Sequence, residues 1–266
     1  LSFSQYYHGR QAGVNQTSEK SSCYTVTVKK LCACALKLGV CLDPAQLEQF
    51  ALYYSELIDW NNRFNLTAIT DYDGVQLKHF CDSLTAALAF KSMDTDQPLR
   101  IIDVGTGAGF PGVPLKIVLP GISLTLLEST AKKAAFLLHL QEKMGIRGVE
   151  IVTGRAEEAA HEERYREKFD VVLSRAVAPL PSLVELCLPF CSIGGRFIAQ
   201  KKGNISNEID RAARAIRLMG GVLIEIKKID WDEFTDDRVL VVIDKVSPTP
   251  PNYPRRPGTP AKTPLV

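Results

Sequence analysis

The sequence predicts an α/β fold: a seven-stranded, mostly parallel sheet covered by helices on both faces and closed by an antiparallel hairpin, with a helical extension ahead of it. Three observations carry that prediction. Seven short apolar runs recur after residue 98, most of them separated by segments long enough for a helix, and such alternation builds a parallel sheet with helical crossovers. The last two runs are separated only by DWDEFTDD, which is too short for a crossover, so they pair antiparallel. Residues 43–90 repeat their apolar side chains at helical spacing and hold no strand pattern.

In order along the chain, residues 1–27 are polar and aperiodic and lack the compact apolar core of a signal peptide. They read as a disordered extension. Residues 28–95 form the helical region. In DPAQLEQFALYYSELIDWNNRFNLTAI, Asp43 is placed as an N-cap with Pro44 at the first helical position. Leu47, Phe50, Ala51, Tyr54, Leu57 and Ile58 then make one apolar face. WNNRFNLTAITDYD is dense in Asn, Asp and Thr and reads as turn-rich, and GVQLKHFCDSLTAALAF as a second helix. Polar KSMDTDQPLR (91–100) marks a boundary. The sheet domain occupies 96–247, with strands at 99–104, 122–128, 149–154, 169–175, 195–201, 221–229 and 238–246, and its clearest helix at 131–145. Five βα units plus a terminal hairpin is the layout of a class I methyltransferase domain, whereas a dehydrogenase fold keeps a sixth parallel strand. Residues 248–266 are a basic, proline-rich tail; the stretch SPTPPNYPRRPGTPAKTPLV carries seven prolines in 20 residues and is incompatible with regular structure.

Composition narrows the function classes. A net charge of +2 with 23% charged residues is only mildly basic, so a nucleic-acid partner would have to be met by a local patch. No run approaches the ~18 apolar residues of a membrane span. The seven cysteines contain no Cys-x-x-Cys pair, and Cys32, Cys34 and Cys41 lack both zinc spacing and a fourth ligand. Reduced thiols in a cytoplasmic setting and no metal are therefore expected, with a monomer as the default.

The chemistry is concentrated in DVGTGAGFPG, residues 103–112. Gly105, Gly107 and Gly109 permit positive φ and let a ligand approach the backbone. A helix starting near Gly112 would point its free N–H groups at the turn. The pattern GAGFPG alone also fits dinucleotide binding. Two acids weigh on the choice: Asp103 just before the glycines and Glu128 at the end of the second strand. Glu128 suits the ribose of either a dinucleotide or S-adenosylmethionine. An acid directly upstream of GxGxG, placed to orient the amino-acid end of the cofactor, favours S-adenosylmethionine. GRAEE (154–158) follows the third strand and puts Ala156 and Glu157 where an adenine edge could be read. LSRAVAPLP ends the fourth strand, so Arg175 emerges at the carboxyl end of the sheet, where it could hold a carboxylate or phosphate. The fourth strand is followed neither by an Asn/Asp-Pro-Pro-aromatic run nor by a Pro-Cys nucleophile, since Cys187 and Cys191 come later and read as helical, and no side chain is placed as a general base.

With DVGTGAGFPGVPL, LLESTAKKAAFL, GRAEE and LSRAVAPL in order, flanked by WNNRFNLTAIT, KHFCDSL and NYPRRPGTPAKTPL, the chain over residues 36–266 resembles the RsmG family, bacterial small-subunit ribosomal RNA guanine-N7 methyltransferases once called glucose-inhibited division protein B. The resemblance implies cofactor contacts at Gly105, Phe110, Ala156, Glu157 and Arg175, beside Asp103, Gly107, Gly109 and Glu128, with Arg175 aligning the reactants. It implies methyl transfer to N7 of a guanine in 16S rRNA, whether presented as RNA, an assembly intermediate or the small ribosomal subunit. Arg63, His79, Lys201, Lys202, Tyr253, Arg255, Arg256 and Lys262 are the candidate RNA contacts, with Lys78 a further one, and beside the resemblance the tail reads as a segment that orders against the domain or the RNA. A methyltransferase acting on another RNA, and a non-catalytic RNA-binding or ribosome-assembly module, are the alternatives.

Overall fold

The computed structural model describes residues 29–90, 98–175 and 178–266. The expected disordered extension, and most of the expected boundary segment, lie outside them. The helical region holds α1 (Lys29–Lys37) and α2 (Pro44–Phe64), then a composite helix: α3 (Tyr72–Val75), a π-helical stretch (Gln76–Cys81), α4 (Asp82–Thr85) and a 3-10 turn (Ala86–Ala89). The sheet domain runs β1 (Arg100–Val104), α5 (Gly112–Val118), β2 (Ser123–Glu128), α6 (Ala131–Met144), β3 (Val149–Thr153), α7 (Ala156–Ala159), β4 (Phe169–Arg175), α8 (Leu180–Cys187), β5 (Cys191–Lys202), α9 (Ser206–Leu218), β6 (Gly221–Ile229) and β7 (Arg238–Lys245), and the tail adds α10 (Thr259–Lys262).

All seven expected strands form one sheet in the order β3-β2-β1-β4-β5-β7-β6. β1 to β5 pair parallel, and β7 inserts antiparallel between β5 and β6. This is the class I methyltransferase arrangement that the alternation predicted. Because β1 has β2 on one side and β4 on the other, the winding reverses there, and the crevice at the carboxyl ends of β1 and β4 is where open α/β sheets bind ligands.

Each sheet face has its own core. Side chains alternate along a strand, so Ile101, Leu173 and Ile198 join the core beneath α1, α2, α5 and α6, while Ile102, Val172 and Ala199 join the core beneath α8 and α9. The same period carries Asp103, Arg175 and Gln200 onto the face covered by the helical region. Arg175 pairs with Gln200 across β4 and β5, and Asp103 with Leu173 across β1 and β4.

The helical region docks through α2. Asp43 accepts from the Gln46 amide while the Gln46 side chain accepts from the Asp43 amide, a complete capping box, and Gln46 Nε2 donates to the Ile117 carbonyl of α5. Phe50, Tyr53 and Leu57 are fully buried beneath it, each stabilising the docking by roughly 1.5–3 kcal/mol. Tyr53, not Tyr54, is the buried tyrosine.

Three local expectations are corrected. WNNRF is helical, because α2 continues to Phe64 and stops only at Asn65, in the left-handed region at φ 50°. Cys187 ends α8 as a helical residue, but Cys191 opens β5, since Pro189 ends the helical path without an N–H to continue it. The tail is not devoid of regular structure: Gly258, at φ 81°, turns the chain into α10, whose first turn tolerates Pro260.

Candidate functional site

The turn after β1 is built around two acids. Asp103 is fully buried; its Oδ2 accepts from the Thr106 hydroxyl at 2.7 Å and from the Gly112 amide at 2.9 Å. The first amide of α5 is thus already engaged by the protein, unlike the free N–H group expected there. Asp103 Oδ1 has no partner among the described residues, and burial pushes the carboxyl up to about 6, against the opposing hydrogen bonds from Thr106 and Gly112. Glu128 is also buried. Its Oε2 accepts from the Gly107 amide at 2.9 Å and its Oε1 from the Thr130 amide at 2.7 Å, so one carboxylate ties the glycine turn to the start of α6.

The glycines serve different ends. At Gly107 (φ +63°) a Cβ would meet nothing within 4 Å, because the residue faces an open cavity. At Gly109 (φ +99°) a Cβ would sit 2.7 Å from the Tyr53 hydroxyl oxygen and 2.8 Å from Val113 Cγ2. Tyr53 donates to the Ala108 carbonyl at 2.5 Å and stacks on Phe110 at 5.2 Å, so the helical region grips the turn directly.

Phe110 is the centre of that grip. His79 stacks on it at 4.6 Å and 19°, and the Arg175 guanidinium lies over the ring at 4.9 Å. Phe110 is buried in this sandwich. Burial, helped by nearby Arg175, lowers His79 to about 3, so its ring is neutral. A neutral ring with Nδ1–H directed at the Lys78 carbonyl (3.1 Å) leaves Nε2 to accept from the Thr67 hydroxyl (2.7 Å). Arg175 Nη1 donates to the Lys78 carbonyl at 3.2 Å and to Asp82 Oδ2 at 3.1 Å.

These groups surround a cavity of about 700 Å³ at the carboxyl end of the sheet. Gly105, Gly107, Phe110, Glu128 and Arg175 line it from the sheet domain, and His79, Asp82 and Thr67 from the helical region. Its volume is that of a cofactor-sized site. Among the described residues no group of His, Cys, Asp and Glu side chains could hold a metal ion, and no helix is long and apolar enough to cross a membrane. Cys34, Cys81, Cys187 and Cys191 are buried thiols.

The model of the GidB family, described as rRNA small subunit methyltransferase G, matches residues 46–234. The chain belongs to this family. Curated relatives named ribosomal RNA small subunit methyltransferase G agree along nearly their whole length. The protein from Dehalococcoides mccartyi is 53% identical over 229 residues, 86% of this chain and 96% of that one. The protein from Roseiflexus castenholzii is 49% identical over 87% of this chain and 97% of that one, and the one from Halalkalibacterium halodurans 45% over 85% and 94%. The resemblance drawn from the motifs is therefore correct, and with it the assignment to an enzyme class, the methyltransferases.

Seen as a GidB family site, the expected residues divide. Lys201 and Lys202 also line the cavity, but Lys201 is held by Glu208 at 2.7 Å and by the Ala178 carbonyl, and Lys202 by Asp236 at 2.8 Å. Arg63 lies outside the cavity lining, on the last turn of α2, paired with Asp59 and over the Trp60 ring. Ala156 and Glu157 do not line the cavity either; Glu157 Oε1 accepts from the Gly258 amide of the tail at 2.8 Å.

The tail itself is fastened down. Arg255 makes a fork on Glu185, with Nε to Oε1 at 2.8 Å and Nη2 to Oε2 at 2.6 Å, and its backbone amide joins Oε1 at 2.9 Å. Glu185 is completely buried, so the arginine's fork is closed on a protein carboxylate, where sequence reasoning had placed a phosphate. Arg166 donates to the carbonyls of Thr249, Pro250 and Tyr253, and the half-buried Tyr253 packs against the second core. Arg256 and Lys262 stay exposed. The residues that the sequence reading did not single out are Tyr53, Asp82 and Gln200. Asp82 sat in view within KHFCDSL, but nothing in a sequence names an arginine 93 residues away as its partner.

Proposed function

We propose that this protein transfers the methyl group of S-adenosylmethionine to N7 of a guanine in the 16S rRNA of the small ribosomal subunit. The observation that carries the proposal is a cofactor-sized cavity at the β1/β4 switch point, bounded by Glu128, the glycine turn and Arg175, in a chain of the GidB family. The residues present fit that cofactor: each Glu128 oxygen has lone-pair capacity beyond its one amide bond for ribose hydroxyls. Asp103, which is fully buried and does not itself line the cavity although its neighbours Gly105 and Thr106 do, keeps an unpaired carboxylate oxygen as the proposed partner of an ammonium group. Ala156 and Glu157 are the proposed neighbours of the adenine. The cofactor supplies an electrophilic methyl on a sulfonium; the new N7–C bond forms as the S–C bond breaks, and the positive charge moves to the base.

N7 is an in-plane lone pair without a proton, so the protein's task is alignment rather than proton removal. Arg175 is the proposed aligning residue, held at the cavity wall by Asp82 and the face of Phe110. His79 keeps a neutral ring against Phe110 with both nitrogens directed at protein groups, which suits a wall and not a base. The base must leave its stack to reach this depth. Lys201 and Lys202 at the cavity, Arg63 on the last turn of α2, and Arg256, Lys262 and Tyr253 on the tail, are the proposed RNA contacts.

The test is incubation with labelled S-adenosylmethionine and small subunits from a strain lacking its own enzyme of this type, followed by chemical cleavage at 7-methylguanine. One new cleavage in 16S rRNA is expected. Measurable cofactor binding with no transfer to any assembly state would overturn the proposal in favour of another acceptor or a binding module.

A further inference from the structure

We infer that Asp82 is the positioning residue that sets the guanidinium of Arg175 for methyl transfer, so that the helical region, and not the sheet domain alone, determines the reacting geometry. The inference rests on the reading above that Arg175 aligns the reactants.

Asp82 is 6% exposed and begins α4, immediately after the π-helical stretch Gln76–Cys81. An inserted π turn inside a helix is costly and recurs at functional sites. Here it delivers two adjoining groups to one arginine: the Lys78 carbonyl at 3.2 Å from Nη1 and Asp82 Oδ2 at 3.1 Å from Nη1. Asp82 is fixed in turn from two further strands. Its Oδ1 pairs with Arg238 at the start of β7, and its backbone carbonyl accepts from Gln200 Nε2 of β5 at 2.6 Å. Gln200 is the residue opposite Arg175 in the β4/β5 register, and its amide also donates to Thr85 Oγ1 of α4. β5 and β7 therefore converge on one residue, through its carbonyl and its carboxylate, and that carboxylate holds Arg175 of β4.

The arrangement differs from an ordinary structural ion pair. Asp82 and Arg175 both line the cavity, and Asp82 meets Arg175 through Nη1 alone. A bidentate fork would occupy the guanidinium; a one-sided hold fixes its direction and leaves other N–H groups to face the reactants. A residue that orients a reacting group acts only through it, and this gives the inference its distinguishing consequence.

The experiment measures single-turnover methyl transfer to small subunits, together with calorimetric affinity for S-adenosylhomocysteine, in five proteins: the unaltered protein, Asp82→Asn, Asp82→Glu, Arg175→Ala, and Asp82→Asn combined with Arg175→Ala. Asp82→Asn is expected to slow transfer at least about tenfold with cofactor affinity kept within about threefold, and to change the rate by less than about twofold once Arg175 is alanine. Asp82→Glu keeps the charge and displaces the guanidinium by one methylene, giving an intermediate rate at unchanged KM for the subunit. It carries the test if Asp82→Asn, which strips Arg175 of its counter-ion and leaves Arg238 only Asp236, fails to fold. A slow Arg175→Ala with an equal further loss from Asp82→Asn overturns the inference and leaves the role of Arg175 standing. An Arg175→Ala protein of near-normal rate overturns that role and the inference with it. Full activity in both Asp82 variants overturns the inference alone.

Discussion

Arg175 and Arg255 are each held by a buried acid, yet the two holds are of different kinds. Arg255 closes a two-pronged fork on Glu185, backed by its own amide, on the side of the sheet that the tail covers. Arg175 meets Asp82 through one nitrogen, lies across an aromatic face and borders a cavity of about 700 Å³. From residue type and local motif the two were equivalent: arginines in signature segments, each available to an anion. What separates them is how much of the guanidinium the protein consumes. A fork closed on a carboxylate is a fastening; a one-sided hold is an orientation.

The widest test of this contrast is Arg255→Ala. It strands Glu185 in the interior, where loss of one partner from a buried pair costs about 3–5 kcal/mol, so the melting temperature is expected to fall by roughly 10 °C and the tail to become protease-sensitive. A loss below about 1 kcal/mol would show that the pair does not anchor the tail. Arg175→Ala should do the reverse: turnover falls at least ~100-fold, consistent with a charged contact worth ~3 kcal/mol, while thermal stability changes less than it does in Arg255→Ala. Near-normal turnover would remove Arg175 from the site.

Two of the turn's glycines, Gly107 and Gly109, sharpen the contrast on a smaller scale. Gly109→Ala drives a methyl into Tyr53 and Val113 at a positive φ, and S-adenosylhomocysteine is expected to bind roughly tenfold more weakly as the turn shifts, at a strain of about 1–2 kcal/mol. Adding Tyr53→Phe, which removes the hydroxyl in the way, should recover part of that loss. Gly107→Ala meets no protein atom; equal weakening there in cofactor affinity, without loss of stability beyond the backbone strain, would mark Gly107 as the point of ligand approach. Unchanged affinity in both variants would separate the turn from the cofactor.

How far the sequence reached follows the same division. The seven strands and the antiparallel pairing of the last two were legible, because a buried strand in a covered sheet must be a short apolar run and the short link before the last one permits only a hairpin. The glycine turn, Asp103 and Glu128 were legible because they lie within one βαβ unit, where spacing alone brings them together. Tyr53 and Asp82 were not. Their roles arise only when α2 and the π-helical stretch dock on the sheet domain, at separations of 55 and 93 residues from Ala108 and Arg175. The π turn itself has no sequence period of its own, since it is a helix widened by what it packs against. The tail was legible only in part: that it orders against the domain or the RNA followed from the family resemblance, but not which residues hold it. Its prolines and arginines carry the composition of a disordered basic arm, and only Glu157, Glu185 and Arg166, far away in sequence, turn it into a packed segment.

The last prediction uses the titration of Asp103. Its folded-state value of about 6 lies above the 3.8 of an unburied aspartate, with burial as the main cause. Between those values the folded cofactor-free chain binds more protons than the unfolded chain, so this group's stability contribution is complete below about pH 4 and is lost as pH rises through about 6. A cofactor ammonium at Oδ1 requires the carboxylate instead. Affinity for S-adenosylhomocysteine is therefore expected to plateau above about pH 7 and to fall toward tenfold per unit below about 6, with proton release on binding rising from none at the plateau toward one proton where the affinity falls. Calorimetry from pH 5 to 8 in two buffers of different ionisation enthalpy checks both parts. Asp103→Asn should weaken binding at pH 8 and flatten the profile. A flat profile in the unaltered protein would mean that the unpaired oxygen is spent on the fold and not on the ligand, which would make Asp103, like Arg255, a fastening.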